Sequence, residues 1–187
     1  IDMEAALADG APLVHADKGT NKCYSMSYPC GDWDKAVAEA DVVVKRRLVN
    51  QRLIPSPMEP RAVVVAPLGN LGEMTIWSAT QIPHVLRVLL SLTTGVPEHK
   101  LRVIAPDVGG GFGAKLQMYR EEQLCVVIAG KLGRPVKWTE TRTENMVATH
   151  HGRDHIQYLE IAAKSDGTML GLMVDLIANM SAYLQII

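Results

Sequence analysis

"GEMTIWSATQIPHVLRVLLSLTTG" (residues 72–95) changes period half-way along, and that change decides the fold class. Its first part, GEMTIWSATQ (72–81), alternates apolar and polar residues in the manner of a half-buried strand. After Ile82 the apolar residues Val85, Leu86, Leu89, Leu90 and Leu92 form a stripe, with Pro83 near its start and Gly95 at its end, where helices favour these residues. A strand that runs straight into a helix of about three turns excludes both all-β and all-α architectures.

The neighbouring segments extend this pattern. DVVVKRRLVNQ (41–51) and RAVVVAPLG (61–69) are β-branched runs bounded by turn residues, so with 72–81 they predict three successive strands in an antiparallel meander. Downstream, KLRVIAPDV (100–108) reads as a strand, YREEQLCVVIAGKLG (119–133) as a second helix closed by Gly133, and RPVKWTETR (134–142) as a further strand. The segment 155–180 predicts a hairpin turning at Ser165-Asp166-Gly167. The expected fold is α+β, a mixed sheet with two helices. Residues 1–31, rich in Gly, Asp and Pro with weak periodicity, read as an extended lead-in with little core.

Composition narrows the function. At 187 residues with 48% hydrophobic and 21% charged positions, the chain can bury a real core, so disordered classes are excluded. A formal net charge of -1 leaves no basic stripe for nucleic acid, and a small or neutral ligand is expected. Cys23, Cys30 and Cys125 are odd in number and lack C-x-x-C spacing, which fits a reducing compartment better than a disulfide framework or a zinc site. No apolar run reaches the roughly 18 residues of a membrane span, and the first residues carry acids where a signal peptide has a basic region. The chain starts without methionine and stops inside an apolar run, so a fragment of a longer polypeptide is expected.

The densest motif is DVGGGFGAK (107–115), which holds four glycines and the one phenylalanine of the chain. Gly109, Gly111 and Ala114 satisfy the dinucleotide fingerprint G-x-G-x-x-G/A, but Pro106 interrupts the preceding strand and the next helical pattern starts near Tyr119 rather than inside the run. A phosphate-binding P-loop is excluded, because Ala114-Lys115-Leu116 lacks the hydroxyl that would hold magnesium. Two readings remain level on residues alone: a turn that merely permits close packing, or a nest of backbone N–H groups cradling an anionic or oxo ligand.

Taken with IPSPMEPR (54–61), IWSATQIPH (76–84), GRPVKWTETRTENM (133–146) and HHGRDH (150–155), the glycine run resembles the molybdenum-binding large subunits of the xanthine dehydrogenase/aldehyde oxidase family. The likeness spans residues 42–187 and is strongest to the large chains of aerobic carbon monoxide dehydrogenases and their relatives. It implies that residues 41–187 are the N-terminal part of the first molybdopterin-binding domain and residues 1–40 a lead-in after an α/β hammerhead domain. It further implies that Gln81 donates its amide to an oxo ligand of molybdenum, and that Gly110, Gly111, Phe112 and Gly113 contact the cofactor through their backbone. The ring of Phe112 would stand beside the substrate, and no side chain would ligate the metal directly.

The implied activity is an oxidoreductase that hydroxylates an aldehyde, a heterocycle or carbon monoxide with water-derived oxygen. The implied cofactor is molybdenum with molybdopterin cytosine dinucleotide. Iron–sulfur clusters and FAD would sit on separate small and medium subunits, in a cytoplasmic dimer of heterotrimers, and the fragment alone would be inactive. In purine-oxidising members a glutamate follows the loop lysine, but here that position is Leu116, which argues against a xanthine-like substrate. The copper-binding cysteine of carbon monoxide oxidation and the family's base glutamate are expected beyond Ile187. A nicotinamide- or flavin-binding dehydrogenase domain and a non-catalytic scaffold are the competing classes.

Other polar groups have simpler readings. His151 and His155 share i, i+4 spacing, but Gly152 argues against the helix that would make them a metal pair, so HHGRDH reads as a hydrogen-bonded turn. Glu140, Arg142 and Glu144 alternate, which on a strand would form an ion-pair row, with Arg142 within reach of a cofactor phosphate. Glu59 and Arg61 are expected to pair and fix a turn.

Overall fold

The structure, a computed structural model, describes residues 2–67, 69 and 72–180. In chain order its elements are helices α1 (Met3–Ala6) and α2 (Trp33–Glu39), strands β1 (Val42–Asn50), β2 (Ala62–Ala66) and β3 (Met74–Ser78), and helix α3 (Pro83–Thr94). There follow β4 (Leu101–Ile104), α4 (Arg120–Leu132), β5 (Val136–Thr139), α5 (Arg142–Ala148), β6 (His155–Ala163) and β7 (Met169–Ala178). The chain forms two compact units, inner and outer by their place in the sequence: the inner is Leu53–Gly152, and the outer joins the described residues up to Arg52 with those of 153–180. No described helix is long and apolar enough to cross a membrane.

The inner unit carries a four-stranded mixed sheet in the order β4-β3-β2-β5. β2 pairs antiparallel with both β3 and β5, while β3 and β4 run parallel because α3 carries the chain back between them. Alternation sends Val63 and Val65 of β2, and Met74 and Ile76 of β3, to one face, where each is 2% exposed or less. The helices close that face. α3 contributes Leu86 and Leu90, one turn apart, and α4 contributes Cys125, Val126 and Ala129. Gly95 and Gly133 end these helices in the left-handed conformation.

The outer unit is a three-stranded antiparallel sheet in the order β1-β6-β7. β6 and β7 form the expected hairpin, in which the Lys164 N–H donates to Thr168 O across the turn. α2, capped by the Asp32 carboxylate on the Lys35 N–H, lays Trp33 and Ala36 against Gly171 of β7. A β-carbon on Gly171 would meet Ala36 Cβ at 2.9 Å, so the absent side chain sets how close this helix lies.

The sequence reading requires three corrections here. The meander is not formed: β1 pairs with β6, from Val42↔Ala163 to Asn50↔His155, instead of with β2. The prolines between Ile54 and Pro60 withhold the N–H groups that a hairpin into β2 would use. The mixed sheet with two helices is present, and the other unit carries a second sheet of its own. The strand expected over 134–142 ends at Thr139 and Arg142–Ala148 is a helix, because Thr141 and Glu144 form a capping box in which each side chain takes the other's N–H.

Candidate functional site

The end of β3 and the loop after β4 meet in the inner unit. Gln81 follows β3 directly, and its carboxamide Oε1 accepts the N–H groups of Gly113 and Lys115, each at 3.1 Å. Its own N–H donates to Lys115 O at 3.0 Å, so side chain and main chain both grip the glycine loop. Because two N–H donors fix the amide oxygen, the Nε2 group faces away from the loop. Among the described residues Nε2 has no acceptor, and Gln81 is exposed.

The loop is curled by three residues of positive φ, Gly110 (91°), Phe112 (51°) and Gly113 (92°). Ala114 N–H closes a turn on Gly111 O at 2.9 Å, and Leu116 N–H bonds Gly113 O at 3.3 Å. Gly111 lies against Gln81 so closely that a β-carbon would stand 2.3 Å from Oε1. Among the described residues the N–H groups of Gly111 and Phe112 have no acceptor. Phe112 is 75% exposed, and its ring stands over Gly110. The result is a loop with two adjacent N–H groups that have no acceptor among the described residues, an amide donor beside them and one projecting aromatic ring.

Charge around the loop is paired. Lys115 is 1% exposed, and its ammonium donates to Glu59 Oε2 at 2.9 Å. The same oxygen accepts the Gly109 N–H at 2.8 Å. Burial pushes the Glu59 carboxyl up, but the Lys115 ammonium and the Gly109 N–H outweigh it and hold it below the usual carboxylate range. Glu59 therefore pairs with Lys115, correcting the expected Glu59–Arg61 pair.

Arg61 instead donates to Glu140 through Nε and Nη2, at 3.0 and 2.6 Å, and to Glu121 through Nη1 at 3.2 Å. Its guanidinium lies 3.7 Å from the centroid of the Tyr119 ring. Burial drives the Tyr119 hydroxyl up to about 12, so it remains a phenol at neutral pH. That hydroxyl donates to Ala114 O at 2.5 Å and accepts the His150 N–H at 3.3 Å, tying HHGRDH to the glycine run.

Arg142 does not face a free anion site. Its Nη2 donates to the carbonyls of Pro57 and Met58, at 2.6 and 3.0 Å, and Nη1 to Asn145 Oδ1 at 3.1 Å. The expected row of Glu140, Arg142 and Glu144 is thus dispersed: Glu140 serves Arg61, and Glu144 caps α5. Leu116 is half-buried just beyond the run. The loop does not open a helix, since α4 starts at Arg120, and so lacks the arrangement a dinucleotide fingerprint uses. Sequence reasoning missed Lys115 as a buried partner; its signal was a single lysine closing a glycine run opposite a Pro-flanked glutamate.

Residues 14–186 match the model of the molybdopterin cofactor-binding domain. The chain is 42% identical to the carbon monoxide dehydrogenase large chain of Afipia carboxidovorans, over 98% of this chain and 24% of that protein. It is 36% identical to the 6-hydroxypseudooxynicotine dehydrogenase complex subunit gamma of Paenarthrobacter nicotinovorans, over 98% of this chain and 23% of that one. The fold matches reconstituted CO dehydrogenase from Oligotropha carboxidovorans with a TM-score of 0.78 and 38% identity, covering 95% of this chain and 24% of that one. The chain spans about a quarter of the length of the curated relatives it matches.

Proposed function

We propose, starting from the fact that this chain belongs to the molybdopterin cofactor-binding domain family, that Gln81 and the loop Gly110–Gly113 hold one side of a molybdenum–pterin cofactor in a hydroxylase large subunit. The observation that carries this reading is the set of unspent donors: Gln81 Nε2 and the N–H groups of Gly111 and Phe112. Donors without a carboxylate or carbonyl to answer them suit an anionic, oxygen- and sulfur-rich group, and Gly111 packs against Gln81 too closely to carry a side chain. The residues present therefore fit the cofactor. When bound, it supplies two-electron redox chemistry and Lewis-acid activation of water.

The chain's own contribution is orientation and exclusion. An amide serves at position 81 because it donates without adding a charge beside an anion, and its oxygen is already fixed by Gly113 and Lys115. Phe112, projecting over Gly110, walls one side and keeps water from the reacting face. Leu116 offers no carboxylate to orient a purine, so the substrate we propose is an aldehyde, a non-purine heterocycle or carbon monoxide. The dinucleotide form of the cofactor, molybdopterin cytosine dinucleotide, belongs to the same proposal. So do iron–sulfur and FAD partner subunits, their assembly as a cytoplasmic dimer of heterotrimers, and the assignment of residues 1–40 as lead-in to a cofactor domain beginning at 41.

The experiment is composition. The full-length subunit, purified with its partners from a host that makes the cofactor, is expected to hold molybdenum near one atom per subunit and to release a cytosine-containing pterin nucleotide. A metal-free complex from that host sinks the reading.

A further inference from the structure

A buried ammonium is costly unless a charge answers it, and Lys115 is 1% exposed. Its ionic partner among the described residues is Glu59 Oε2, at 2.9 Å, and that oxygen also accepts the Gly109 N–H at 2.8 Å. One carboxylate oxygen thus joins the first glycine of the run to the residue that closes it. A second bond reinforces the first end, since the Glu59 N–H donates to Gly109 O at 3.1 Å.

Glu59 is itself held. It lies between Met58 and Pro60, and Arg142 fixes the carbonyls of Pro57 and Met58. A β-carbon on Gly109 would sit 2.6 Å from Glu59 Cβ, so the two backbones are in close approach. At the other end, Lys115 is where Gln81 attaches: its N–H donates to Gln81 Oε1, and its carbonyl accepts Gln81 N–H and, at 3.4 Å, the Thr80 hydroxyl. The distance between the ends of the run therefore sets both the curl at Gly111 and Phe112 and the direction in which Gln81 Nε2 points.

We propose that Glu59 and Lys115 are positioning residues: the pair clamps the glycine run closed and, through the Lys115 backbone, aims the Gln81 amide. The identity of the ligand so addressed rests on the function proposed above, but the clamp does not. Stability alone would not need the charges, because buried ion pairs are commonly replaceable by neutral residues without loss. Here both charges act on one short loop, the one that carries the N–H groups of Gly111 and Phe112 without an acceptor among the described residues.

The test is hydrogen exchange on the full-length subunit in its complex, prepared from both molybdate-replete and molybdate-starved hosts. With Glu59→Ala, exchange in the peptide 109–116 is expected to rise at least about 10-fold, the loss of the two hydrogen bonds that Glu59 Oε2 accepts. Exchange over α3 and the second half of α4 is expected to stay at the wild-type rate. Glu59→Asp, which keeps the charge and shortens its reach, is expected to fall between. Should Glu59→Ala fail to fold, the neutral pair Glu59→Gln with Lys115→Met gives the same reading. It is expected to fold and to exchange faster at 109–116 only.

Wild-type exchange at 109–116 in the folded variants overturns the clamp, as does a rise shared equally by α3 and α4. A complex that never carries molybdenum, yet shows the local rise, overturns the proposed function and leaves the clamp standing. A molybdenum-loaded complex without the rise does the reverse.

Discussion

Gly111 presents its open face to Gln81 so closely that a methyl group on its α-carbon would lie 2.3 Å from Gln81 Oε1 and 2.5 Å from Cδ. Gly111→Ala must therefore move Gln81 off the Gly113 and Lys115 N–H groups or open the loop. The expected cost is about 1–3 kcal/mol of stability, the range for overpacking a close contact. Molybdenum content should fall with it. Thermal denaturation and metal analysis of the full-length complex check both.

Gln81→Glu separates the two ends of the amide. A carboxylate can still accept from Gly113 and Lys115, but it replaces the free Nε2 donor with an acceptor. Folding should change by about 1 kcal/mol or less, while turnover falls about 100- to 1000-fold, as for loss of one preorganised donor. Steady-state kinetics normalised to bound molybdenum measure this, with denaturation as the control.

The Arg61–Glu140 pair is structural and carries a pH signature. Burial raises the Glu140 carboxyl, but the Arg61 and Asn145 donors outweigh it and hold it below its ordinary 4.5. A depressed folded value contributes stability that is present above 4.5 and lost as pH falls through the folded value. Glu140→Gln should therefore cost at most about 3–5 kcal/mol at neutral pH, the range for breaking a buried pair, because Arg61 keeps Glu121 as its remaining partner. It should also flatten the acid limb of the stability curve. Denaturant titrations between pH 3 and 7 report whether that limb flattens.

Arg142→Met releases the carbonyls of Pro57 and Met58. The expected loss is about 1.5–3 kcal/mol, that of hydrogen bonds to a charged donor. Arg142→Lys should recover only part, because one ammonium cannot replace both the Nη2 bonds to the carbonyls and the Nη1 bond to Asn145 Oδ1. Chemical denaturation distinguishes the two variants.

Local rules made much of this molecule legible from its residues. The change of period at Ile82, the glycines closing α3 and α4, and the Ser165-Asp166-Gly167 turn are decided by neighbours in sequence, and the structure has them where the residues put them. Strand partnership was not legible, because Val42, Val43 and Val44 would suit β2 as well as β6, and only the intervening hundred residues decide. Thr141-x-x-Glu144 has the spacing of a capping box, but the alternation of Glu140, Arg142 and Glu144 led to a strand reading instead. At the site, Gln81 and the glycine run stood out because their blocks recur together in one family. Glu59–Lys115 did not, since a pair 56 positions apart has no periodic signature.

The most direct test of the cofactor reading is pulsed electron paramagnetic resonance of the molybdenum(V) state, on the full-length complex with ¹⁵N in glutamine side chains. The wild type should show a weak ¹⁵N and exchangeable-proton coupling from the Gln81 amide, and Gln81→Leu should lose both in spectra taken per bound molybdenum. Identical spectra from the two proteins, each fully loaded, would contradict the placement of Gln81 at the metal.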